Sequence, residues 1–376
     1  MYSPLKLAVS CAGHNMSMQI FIVTSSGNMS GGTRQALYQA RGLLERGHEV
    51  TVFSPPGAKA KEFEPDLPWG ELPPGLGQWK KSLEARLDKK HPCVVHAYHN
   101  KGIKLISALG LYWRLKGLPI ACLGHRGVVY PPRNPLPYLS PGMRAFTTNS
   151  AACAAILRRM SLGLKPVEVI YNAIPDERVR PARSPIDVRW ELGIPEDAFV
   201  VGTVAHSAAV KGVQVLLPAF AAAYQSGMLL LTVGAEPEKW APMLQDLGIA
   251  EQARMVPKTN QVADYLQIMD FFVLPSLSES QPNTLLEAMC LGLPAGGSAV
   301  GGVPELIHNP ALLVPPNDPA ALAGLIRRAF EQPELLRIAA QDNAKLSAQF
   351  TLQARLDKLE ALYAALLRPF ESQTVR

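Results

Sequence analysis

Residues 271–307 read FFVLPSLSESQPNTLLEAMCLGLPAGGSAVGGVPELI and combine a strand, a loop and a helix. FFVLPS is an apolar run typical of a buried strand, Pro282 stands where a helix can begin, and TLLEAMCLG predicts that helix, ending at Gly292. Glu279 therefore falls in the loop at the carboxyl end of the strand, and Glu287 falls on the helix. Because open α/β sheets bind ligands at the carboxyl ends of their strands, we expect both carboxylates at a ligand site.

Carboxylates in this position suit the hydroxyl groups of sugars, since an ionised carboxylate only accepts hydrogen bonds. We expect Glu279 to accept from sugar hydroxyls and Glu287 to accept from a ribose. Asn283 and Thr284 open the helix, whose N-terminal N–H groups favour a bound anion. Two glutamates alone would equally describe a solvated surface, but the strand, proline and helix around them favour the ligand site.

Strand-like and helix-like segments alternate along the whole chain, a pattern typical of parallel sheets covered by helices. The predicted strands are 19–23, 49–53, 93–98, 120–124, 145–149 and 167–172 in a first series, and 199–206, 228–234, 253–257, 271–276 and 293–297 in a second. The charged, proline-rich segment 172–197 separates the two series. The sequence therefore predicts an α/β protein with two Rossmann-like parallel-sheet domains facing across a cleft, over residues 1–180 and 181–376.

The end of the chain has the pattern of a long amphipathic helix over 351–368, which could pack back on the N-terminal domain. Its apolar face holds Leu352, Leu356, Leu359, Tyr363 and Leu366. Two proline-rich stretches, 55–79 and 127–141, are expected as irregular loops near the acceptor, because long loops in compact domains commonly carry function.

The composition excludes several classes of protein. Of the 376 residues, 48% are hydrophobic and 18% charged, which is ample apolar material for folded domains and argues against disorder. No window reaches the roughly 18 apolar residues of a spanning helix. The five cysteines are widely spaced and include no C-x-x-C pair, so neither a disulfide framework nor a zinc site is predicted, and a reducing cytosol fits. Residues 1–15 are expected as a leader before the first strand, with a signal peptide as the alternative.

Positive charge is concentrated in the first half of the chain. Residues 1–180 carry a net charge of +12 and residues 181–376 a net charge of −6. This asymmetry favours an anionic partner for the first half, either a phosphate-bearing acceptor or an anionic membrane surface, although an ordinary solvated basic face would give the same count. No nucleic-acid partner is expected, because the basic residues do not interleave with aromatic ones.

These motifs together resemble the retaining glycosyltransferases of the GT-B fold, specifically glycosyltransferase family four, which includes many bacterial envelope-glycan enzymes. The resemblance covers nearly the whole chain. It includes a glycine-rich first loop, the strand GHEVTVF, a Lys-Gly after the first strand of the second domain, two glutamates separated by seven residues, and LVPPNDPAALA. It implies that Glu279 contacts the donor sugar and that Glu287 contacts the nucleotide ribose.

The resemblance also implies residues that hold the donor diphosphate. Gly31 and Gly32 would let the backbone approach a phosphate at the start of a helix that we expect to begin at Thr33, although a bare Gly-Gly is otherwise only a turn. Lys211 would supply an ammonium to the diphosphate, where the alternative is a surface lysine. The family has an arginine five residues before this lysine, and His206 stands there instead, so one fixed positive charge is missing.

Three histidines and two arginines complete the candidates. The resemblance implies that His125, which follows the strand IACLG, contacts the donor sugar near the reacting carbon, and a structural histidine is the alternative. We interpret His99 as lining the cleft and His96 as structural. Arg34, His99 and Arg126 are candidates on the acceptor side.

Absent motifs narrow the function further. No Asp-x-Asp pair occurs, so no metal site is predicted, and there is neither a G-x-G-x-x-G after a strand nor a G-x-x-x-x-G-K-[ST] loop. The sequence therefore predicts a metal-independent hexosyltransferase without cofactor, whose donor substrate is a nucleoside diphosphate sugar and whose acceptor is a glycan or glycolipid of cell-envelope polysaccharide or lipopolysaccharide biosynthesis. We expect it in the cytoplasm, peripheral to the inner membrane surface. A phosphorylase or epimerase of the same fold is one alternative. A silent nucleotide-sugar binding protein is another, because Gln281 stands where the family often has phenylalanine.

Overall fold

The computed structural model of the chain describes residues 17–88 and 91–374, with side chains up to Phe370. The expected leader and Cys11 lie outside the described residues. The chain forms two compact units: the first contains the residues up to Ala173 and those from Leu352 onward, and the second runs from Ile174 to Thr351. Residue 180, where the sequence suggests a boundary, lies a few residues inside the second unit.

The first unit is built on a seven-stranded parallel sheet with the strand order β3-β2-β1-β4-β5-β6-β7. Its elements are β1 (Gln19–Thr24), α1 (Gly31–Glu45), β2 (Glu49–Ser54), α2 (Ala60–Phe63), β3 (Trp69–Glu71), α3 (Leu76–Glu84), β4 (Cys93–Tyr98), α4 (His99–Leu115), β5 (Ile120–His125), α5 (Leu136–Leu139), β6 (Ala145–Thr148), α6 (Ala151–Met160) and β7 (Val167–Val169). The stretch 55–79 is less irregular than expected, because it supplies the edge strand β3.

Alternation along β1 explains how this sheet is covered on both faces. Ile20 and Ile22 join one buried apolar cluster, and Phe21 and Val23 join another. Successive side chains of a strand point to opposite faces, so each face of the sheet receives an apolar layer. A strand buried on both faces reads as a continuous apolar run, and QIFIV has that pattern.

The second unit is built on a six-stranded parallel sheet with the strand order β10-β9-β8-β11-β12-β13. Its elements are α7 (Pro185–Glu191), β8 (Phe199–Val204), α8 (Val213–Ala223), β9 (Met228–Val233), α9 (Pro237–Asp246), β10 (Ala253–Val256), α10 (Val262–Leu266), β11 (Phe271–Leu274), α11 (Asn283–Cys290), β12 (Ala295–Ser298), β13 (Leu313–Val314), α12 (Pro319–Glu331) and α13 (Pro333–Ser347). The two predicted α/β domains are thus confirmed.

The last helix, α14 (Leu352–Thr374), packs on the first unit. Leu359 and Tyr363 are fully buried in the same cluster as Ile20. A Cβ at Gly42 on α1 would lie 2.5 Å from Leu356 Cδ1, so the glycine allows the two helices to approach closely. Truncating a buried leucine such as Leu359 to alanine typically costs about 2–5 kcal/mol, and this contact therefore stabilises the first unit substantially.

Each sheet has one point where the strand order reverses direction. In the first unit this point lies between β1 and β4, and in the second unit it lies between β8 and β11. Loops leave the carboxyl ends of these two strand pairs on opposite sides, which opens a crevice where α/β proteins bind ligands. Lys211 and Glu279 follow β8 and β11, and Gly31 and Gly32 begin the helix that follows β1.

Candidate active site

Two loops of the second unit bring Lys211 and Glu279 together at the strand-order reversal. Lys211 ends a short 3-10 turn after β8, and Glu279 lies between β11 and α11. The Lys211 Nζ atom is 2.7 Å from Glu279 Oε1, and Ser276 Oγ donates to the same oxygen over 2.9 Å. The side chain of Glu279 is 10% exposed and that of Lys211 is 26% exposed. An ammonium and a carboxylate are therefore placed within reach of one ligand.

Gly212 explains why these two loops can meet. It has φ +74°, and a Cβ at this position would lie 1.9 Å from the carbonyl oxygen of Pro275. Any other residue would therefore both strain the backbone and collide with the loop that carries Glu279. The Leu277 amide also donates to the Val210 carbonyl over 2.8 Å, which fixes the loops to each other.

Glu287 lies on α11 and is held by Arg178. The residue is 3% exposed, and its Oε1 accepts from Arg178 Nε at 3.1 Å and from Arg178 Nη2 at 2.7 Å. Sequence reasoning misses Arg178, which falls in the segment interpreted as a linker and has no periodic pattern around it. Helix α11 begins at Asn283, so Asn283 and Thr284 are its first two residues, as expected.

His206 is an exposed residue after β8. Its Nδ1 accepts a hydrogen bond from the Ala208 amide at 3.2 Å. Burial, followed by the positive charge of Lys211, lowers the pKa of His206 below its ordinary value. Since an accepting Nδ1 carries no proton, the neutral ring has its proton on Nε2 and can donate from there.

In the first unit, Gly31 and Gly32 lie at the beginning of α1. The helix begins at Gly31, two residues before the expected start at Thr33, because Ser30 Oγ caps it by accepting from the Thr33 amide at 3.1 Å. Both glycines are therefore helical residues whose N–H groups point toward the end of the helix, where the helix dipole favours an anion.

His99 lies beside this helix end. It follows β4 directly and has φ +65°, which is unusual for a residue other than glycine. Its Nε2 is 3.4 Å from Ser30 Oγ, and a Cβ at Gly32 would lie 3.3 Å from the same nitrogen. Burial lowers the pKa of His99, so a neutral imidazole faces the first turn of α1.

His125 is buried at the carboxyl end of β5. It is 4% exposed, and its Nδ1 is 3.0 Å from Thr147 Oγ1 on β6. Its ring centroid is 4.7 Å from that of Tyr98 at the end of β4. Burial, with the charge of Arg355 as the next contribution, holds the pKa of His125 well below its ordinary value, so the imidazole is neutral.

A chain of buried hydrogen bonds joins α14 to His125. Its links are Arg355 Nη2 to Tyr98 Oη at 3.3 Å, Tyr98 Oη to Gln39 Oε1 at 2.5 Å, Gln39 Nε2 to Tyr363 Oη at 2.6 Å, Tyr363 Oη to His96 Nδ1 at 2.7 Å, His96 Nε2 to Thr147 Oγ1 at 3.0 Å, and Thr147 Oγ1 to His125 Nδ1 at 3.0 Å. The sequence analysis names His96, His125 and Tyr363 separately, but it does not predict these hydrogen bonds, because the residues come from distant parts of the sequence.

Arg355 sets the direction of these hydrogen bonds, because a guanidinium only donates. Tyr98 accepts from Arg355 and must give its own proton to Gln39 Oε1. This orients the Gln39 amide, whose nitrogen then donates to the oxygen of Tyr363. The hydroxyl proton of Tyr363 is left for the next acceptor.

That acceptor is Nδ1 of His96. Burial and the charge of Arg355 lower the pKa of His96 to about 3. Neutral His96 therefore carries its proton on Nε2 and donates to Thr147. Thr147 in turn donates to Nδ1 of His125. These hydrogen bonds therefore fix His125 as a neutral imidazole with its proton on Nε2.

The two predicted arginines have different surroundings. Arg126 is 2% exposed, and its guanidinium donates to Asn100 Oδ1 at 3.0 Å, to the Val128 carbonyl at 2.9 Å and to the Tyr130 carbonyl. These bonds tie down the loop after β5. The Arg34 guanidinium lies 5.4 Å from the centroid of the Phe63 ring.

Neither a metal cluster nor a spanning helix is found in the described part of the chain. Over residues 17–88 and 91–374, no group of three His, Cys, Asp or Glu side chains is arranged to hold a metal ion. Within the same ranges, no helix combines the length and the apolarity needed to cross a bilayer.

Two protein-family models match adjacent parts of the chain. Residues 29–178 match the model for glycosyltransferase family 4, and residues 186–346 match the model for glycosyl transferases group 1. Together the two matches cover more than half of the chain. They contain all of the candidate site residues.

Curated relatives carry glycosyltransferase names. N-acetyl-alpha-D-glucosaminyl L-malate synthase of Bacillus anthracis is 30% identical over 54% of this chain and 55% of its own length. D-inositol 3-phosphate glycosyltransferase 1 of Catenulispora acidiphila is 27% identical over 89% of this chain and 85% of its own length. The D-inositol 3-phosphate glycosyltransferase of Streptomyces avermitilis is matched over 45% of its length, so the chain spans about half of several relatives.

Solved structures show the same two-domain architecture. Anabaena HepE in complex with UDP has a TM-score of 0.80 at 17% identity, over 93% of this chain and all of that one. WaaG, a glycosyltransferase involved in lipopolysaccharide biosynthesis, has a TM-score of 0.61 at 16% identity, over 91% of this chain and 98% of that one. At these identities the likeness shows the fold, which is the GT-B fold of two parallel-sheet α/β domains.

Proposed function

The chain belongs to glycosyltransferase family four, and we propose that it transfers a sugar from a nucleoside diphosphate donor to a hydroxyl of a glycan or glycolipid acceptor, with retention of the anomeric configuration. The observation that carries the proposal is the pair of Lys211 and Glu279 at the strand-order reversal of the second sheet, 2.7 Å apart. The Lys211 ammonium can bind a phosphate, and the Glu279 carboxylate can accept hydrogen bonds from sugar hydroxyls.

Donor binding would replace the contact between Lys211 and Glu279 with a contact of each side chain to the donor. The diphosphate offers Lys211 a more negative partner than the single carboxylate of Glu279. When the ammonium turns to the phosphate, the Glu279 oxygens become acceptors for the sugar hydroxyls. Binding the leaving group would then place the sugar at the same time, which couples recognition of the two halves of the donor.

Catalysis on this proposal depends on stabilising the leaving diphosphate. The bond between the anomeric carbon and the phosphate oxygen breaks, the bond to the acceptor oxygen forms on the same face, and the acceptor proton passes to the leaving phosphate. The protein supplies positive potential instead of a general base, through Lys211 and through the amides of Asn283 and Thr284 at the start of α11. The amides of Gly31 and Gly32 offer a second phosphate position on the first unit.

Three further candidates are assigned to recognition of the donor. His125, with its proton on Nε2, donates a hydrogen bond to a sugar hydroxyl. Glu287 accepts from the ribose hydroxyls, and the two bonds from Arg178 keep its carboxylate in one orientation. His206 supplies a further donor toward the diphosphate.

The names of the relatives, the charge of the first half and a solved structure bear on the identity of the substrates. The names of the relatives contain L-malate and D-inositol 3-phosphate, and the net charge of +12 over residues 1–180 fits an anionic acceptor of that kind or a phosphorylated glycolipid. UDP is the first nucleotide to test, since HepE is described in complex with UDP-glucose. We propose a role in envelope polysaccharide or lipopolysaccharide synthesis, at the cytoplasmic face of the membrane and without a metal.

The proposal is tested by measuring nucleotide binding and then transfer. Thermal unfolding with UDP, GDP and ADP identifies the base, since a ligand at about 100 times its Kd stabilises the folded protein by about 2.7 kcal/mol. UDP-sugars with candidate acceptors, with and without EDTA, then test transfer and metal dependence. Lys211→Met should abolish stabilisation, whereas Lys345→Met, an exposed lysine on α13, should not.

Four outcomes would contradict the proposal. Stabilisation by no nucleotide would remove the donor assignment. Binding of a UDP-sugar without product would indicate a silent binding protein, and sugar phosphate or epimerised nucleotide sugar as the product would indicate a phosphorylase or an epimerase. Loss of activity in EDTA that manganese restores would show that the diphosphate is held by a metal.

A further inference from the structure

The first unit has a basic cavity near the amino ends of its strands β6 and β7. It has a volume of about 280 Å³. Its lining includes Arg114, Arg144, Lys165, Leu164, Leu366 and Pro369. Three cations thus surround one opening whose wall is otherwise largely apolar.

The three cations lie at the amino ends of neighbouring strands. Arg144 directly precedes β6, Lys165 precedes β7 by two residues, and Arg114 is in the last turn of α4, which leads to β5. His99 and His125 stand at the opposite, carboxyl ends of β4 and β5. A six-residue strand is about 20 Å long, so the cavity is separate from the proposed substrate site.

Among the described side chains, no carboxylate forms an ion pair with Arg114, Arg144 or Lys165. Arg114 Nη1 donates to the Pro141 carbonyl at 3.0 Å, and the Arg144 guanidinium lies 4.4 Å from the Phe370 ring centroid. The sequence explains the imbalance, because residues 99–167 contain ten Lys and Arg and no Asp or Glu.

The three cations of the cluster repel one another. Burial lowers the pKa of Lys165, and the charges of Arg114 and Arg144 lower it further. Burial and the charge of Arg114 likewise lower the pKa of Arg144. An anion in the cavity would relieve this repulsion for all three groups at once.

Exposed leucines stand beside the same cations. Leu115 is 79% exposed and follows Arg114, and Leu162 and Leu164 are 70% and 66% exposed and precede Lys165. Leu162 also has φ +50°, a backbone conformation that a branched side chain rarely adopts. Exposed leucines that adjoin cations in the sequence suit a membrane-facing surface, since leucines enter the acyl boundary and cations bind lipid phosphates.

We propose that this surface, made by Arg114, Arg144, Lys165, Leu115, Leu162 and Leu164, docks on an anionic membrane, with a phospholipid phosphate in the cavity. A soluble phosphate ligand would use the cations but would leave the leucines without a function. The docking site adds to the proposed transferase and does not depend on which acceptor that enzyme uses.

The test is flotation of the full chain with vesicles of phosphatidylcholine alone or with added phosphatidylglycerol. The wild-type protein should bind the anionic vesicles more tightly and lose the preference at high salt. The triple variant R114Q/R144Q/K165Q should bind about a hundredfold more weakly, at about fivefold for each cation removed. The control K81Q/K101Q/K104Q, with three exposed lysines of the same unit replaced, should retain most of the binding.

A second variant guards against misfolding of the first. L162S/L164S changes only exposed side chains and should reduce vesicle binding severalfold with no change in thermal unfolding. Equal losses in the pocket variant and the lysine control would overturn the site. Stabilisation by inorganic phosphate without vesicle binding would overturn the membrane assignment. Transfer to a soluble acceptor should stay unchanged in these variants, so failure of the docking surface and failure of the transferase proposal are distinguishable.

Discussion

Gly212 and Pro275 approach so closely that a Cβ on residue 212 would lie 1.9 Å from the Pro275 carbonyl oxygen. The contact joins the loop that carries Lys211 to the loop that carries Glu279. Since the obstacle is backbone, it cannot move aside as a flexible side chain would. The closeness of the ammonium and the carboxylate therefore depends on the absence of a side chain at residue 212.

The first prediction separates this contact from ordinary glycine strain. Gly212→Ala should destabilise the protein by more than about 3 kcal/mol, through left-handed strain of about 1–2 kcal/mol and the collision with Pro275. Gly248→Ala is the control, because Gly248 has φ +67° but a methyl group there would have nothing within 4 Å. Gly248→Ala should therefore lower the stability only by the left-handed backbone strain. Equal shifts of the thermal midpoint in the two variants would show that the contact is unimportant.

The second prediction concerns the two glutamates. Glu279→Gln should lower kcat about a hundredfold with little change in donor affinity, because the sugar contact matters most in the transition state. Glu287→Gln should weaken donor binding about tenfold. It should also lower stability, since it leaves Arg178 without its buried counter-charge.

Kinetics and calorimetry with the donor measure both effects. Glu251→Gln, on an exposed residue of the same unit, is the control and should match the wild type. Wild-type turnover and affinity in both Glu279→Gln and Glu287→Gln would remove the assignment of the sugar and the ribose.

Local patterns in the sequence identify most of the elements of the fold, and the reason is visible in β1 and α11. The strand QIFIV is largely apolar because both faces of the sheet are covered, and a proline such as the one before Asn283 is typical of a helix start. By contrast, Arg178 meets Glu287 over a separation of 109 residues. No periodicity records such a contact, so the partner of Glu287 could not be predicted.

The start of α1 and the surroundings of His125 show the same limit. The glycine pair does not reveal the cap by Ser30, so the sequence predicts a helix start two residues late. Tyr363 reaches His96 from the other end of the chain, over a separation of 267 residues. The sequence therefore indicates that His125 could be functional, but not what fixes its proton.

The third prediction concerns that proton. Thr147→Val keeps the shape of the side chain but removes the only donor to His125 Nδ1 within the described residues. We expect kcat for transfer to fall about tenfold and the His125 ring to sample both tautomers. Thr147→Ser retains the hydroxyl and should retain the activity. Nitrogen NMR of histidine-labelled protein reports the tautomer, and unchanged His125 resonances in Thr147→Val would contradict the prediction.

The fourth prediction is a loss of stability in acid. Unfolded His96 titrates near about 6.5, whereas folded His96 has a pKa of about 3. The folded state therefore binds fewer protons between these values, and stability falls as the pH decreases through 6.5, by about 1.4 kcal/mol for each pH unit. His125, with its pKa also lowered, contributes in the same direction.

Denaturant unfolding at several pH values between about 7 and 5 measures this loss. His96→Gln should reduce the change of the free energy of unfolding with pH by the contribution of one histidine. A slope that His96→Gln leaves unchanged would mean that other groups cause the acid sensitivity.

The fifth prediction concerns His206. In the unbound protein, burial and the charge of Lys211 lower the pKa of His206. A bound diphosphate would favour the protonated ring, so the pKa of His206 should be higher in the complex. Donor affinity should then be greatest below the pKa of the unbound state and decline as the pH rises through the pKa of the complex. His206→Arg should flatten this decline, because guanidinium stays charged, while Lys211→Ala should weaken binding at every pH. Superimposable pH profiles for the wild type and His206→Arg, measured by calorimetric titration with the nucleoside diphosphate, would mean that His206 does not hold the diphosphate.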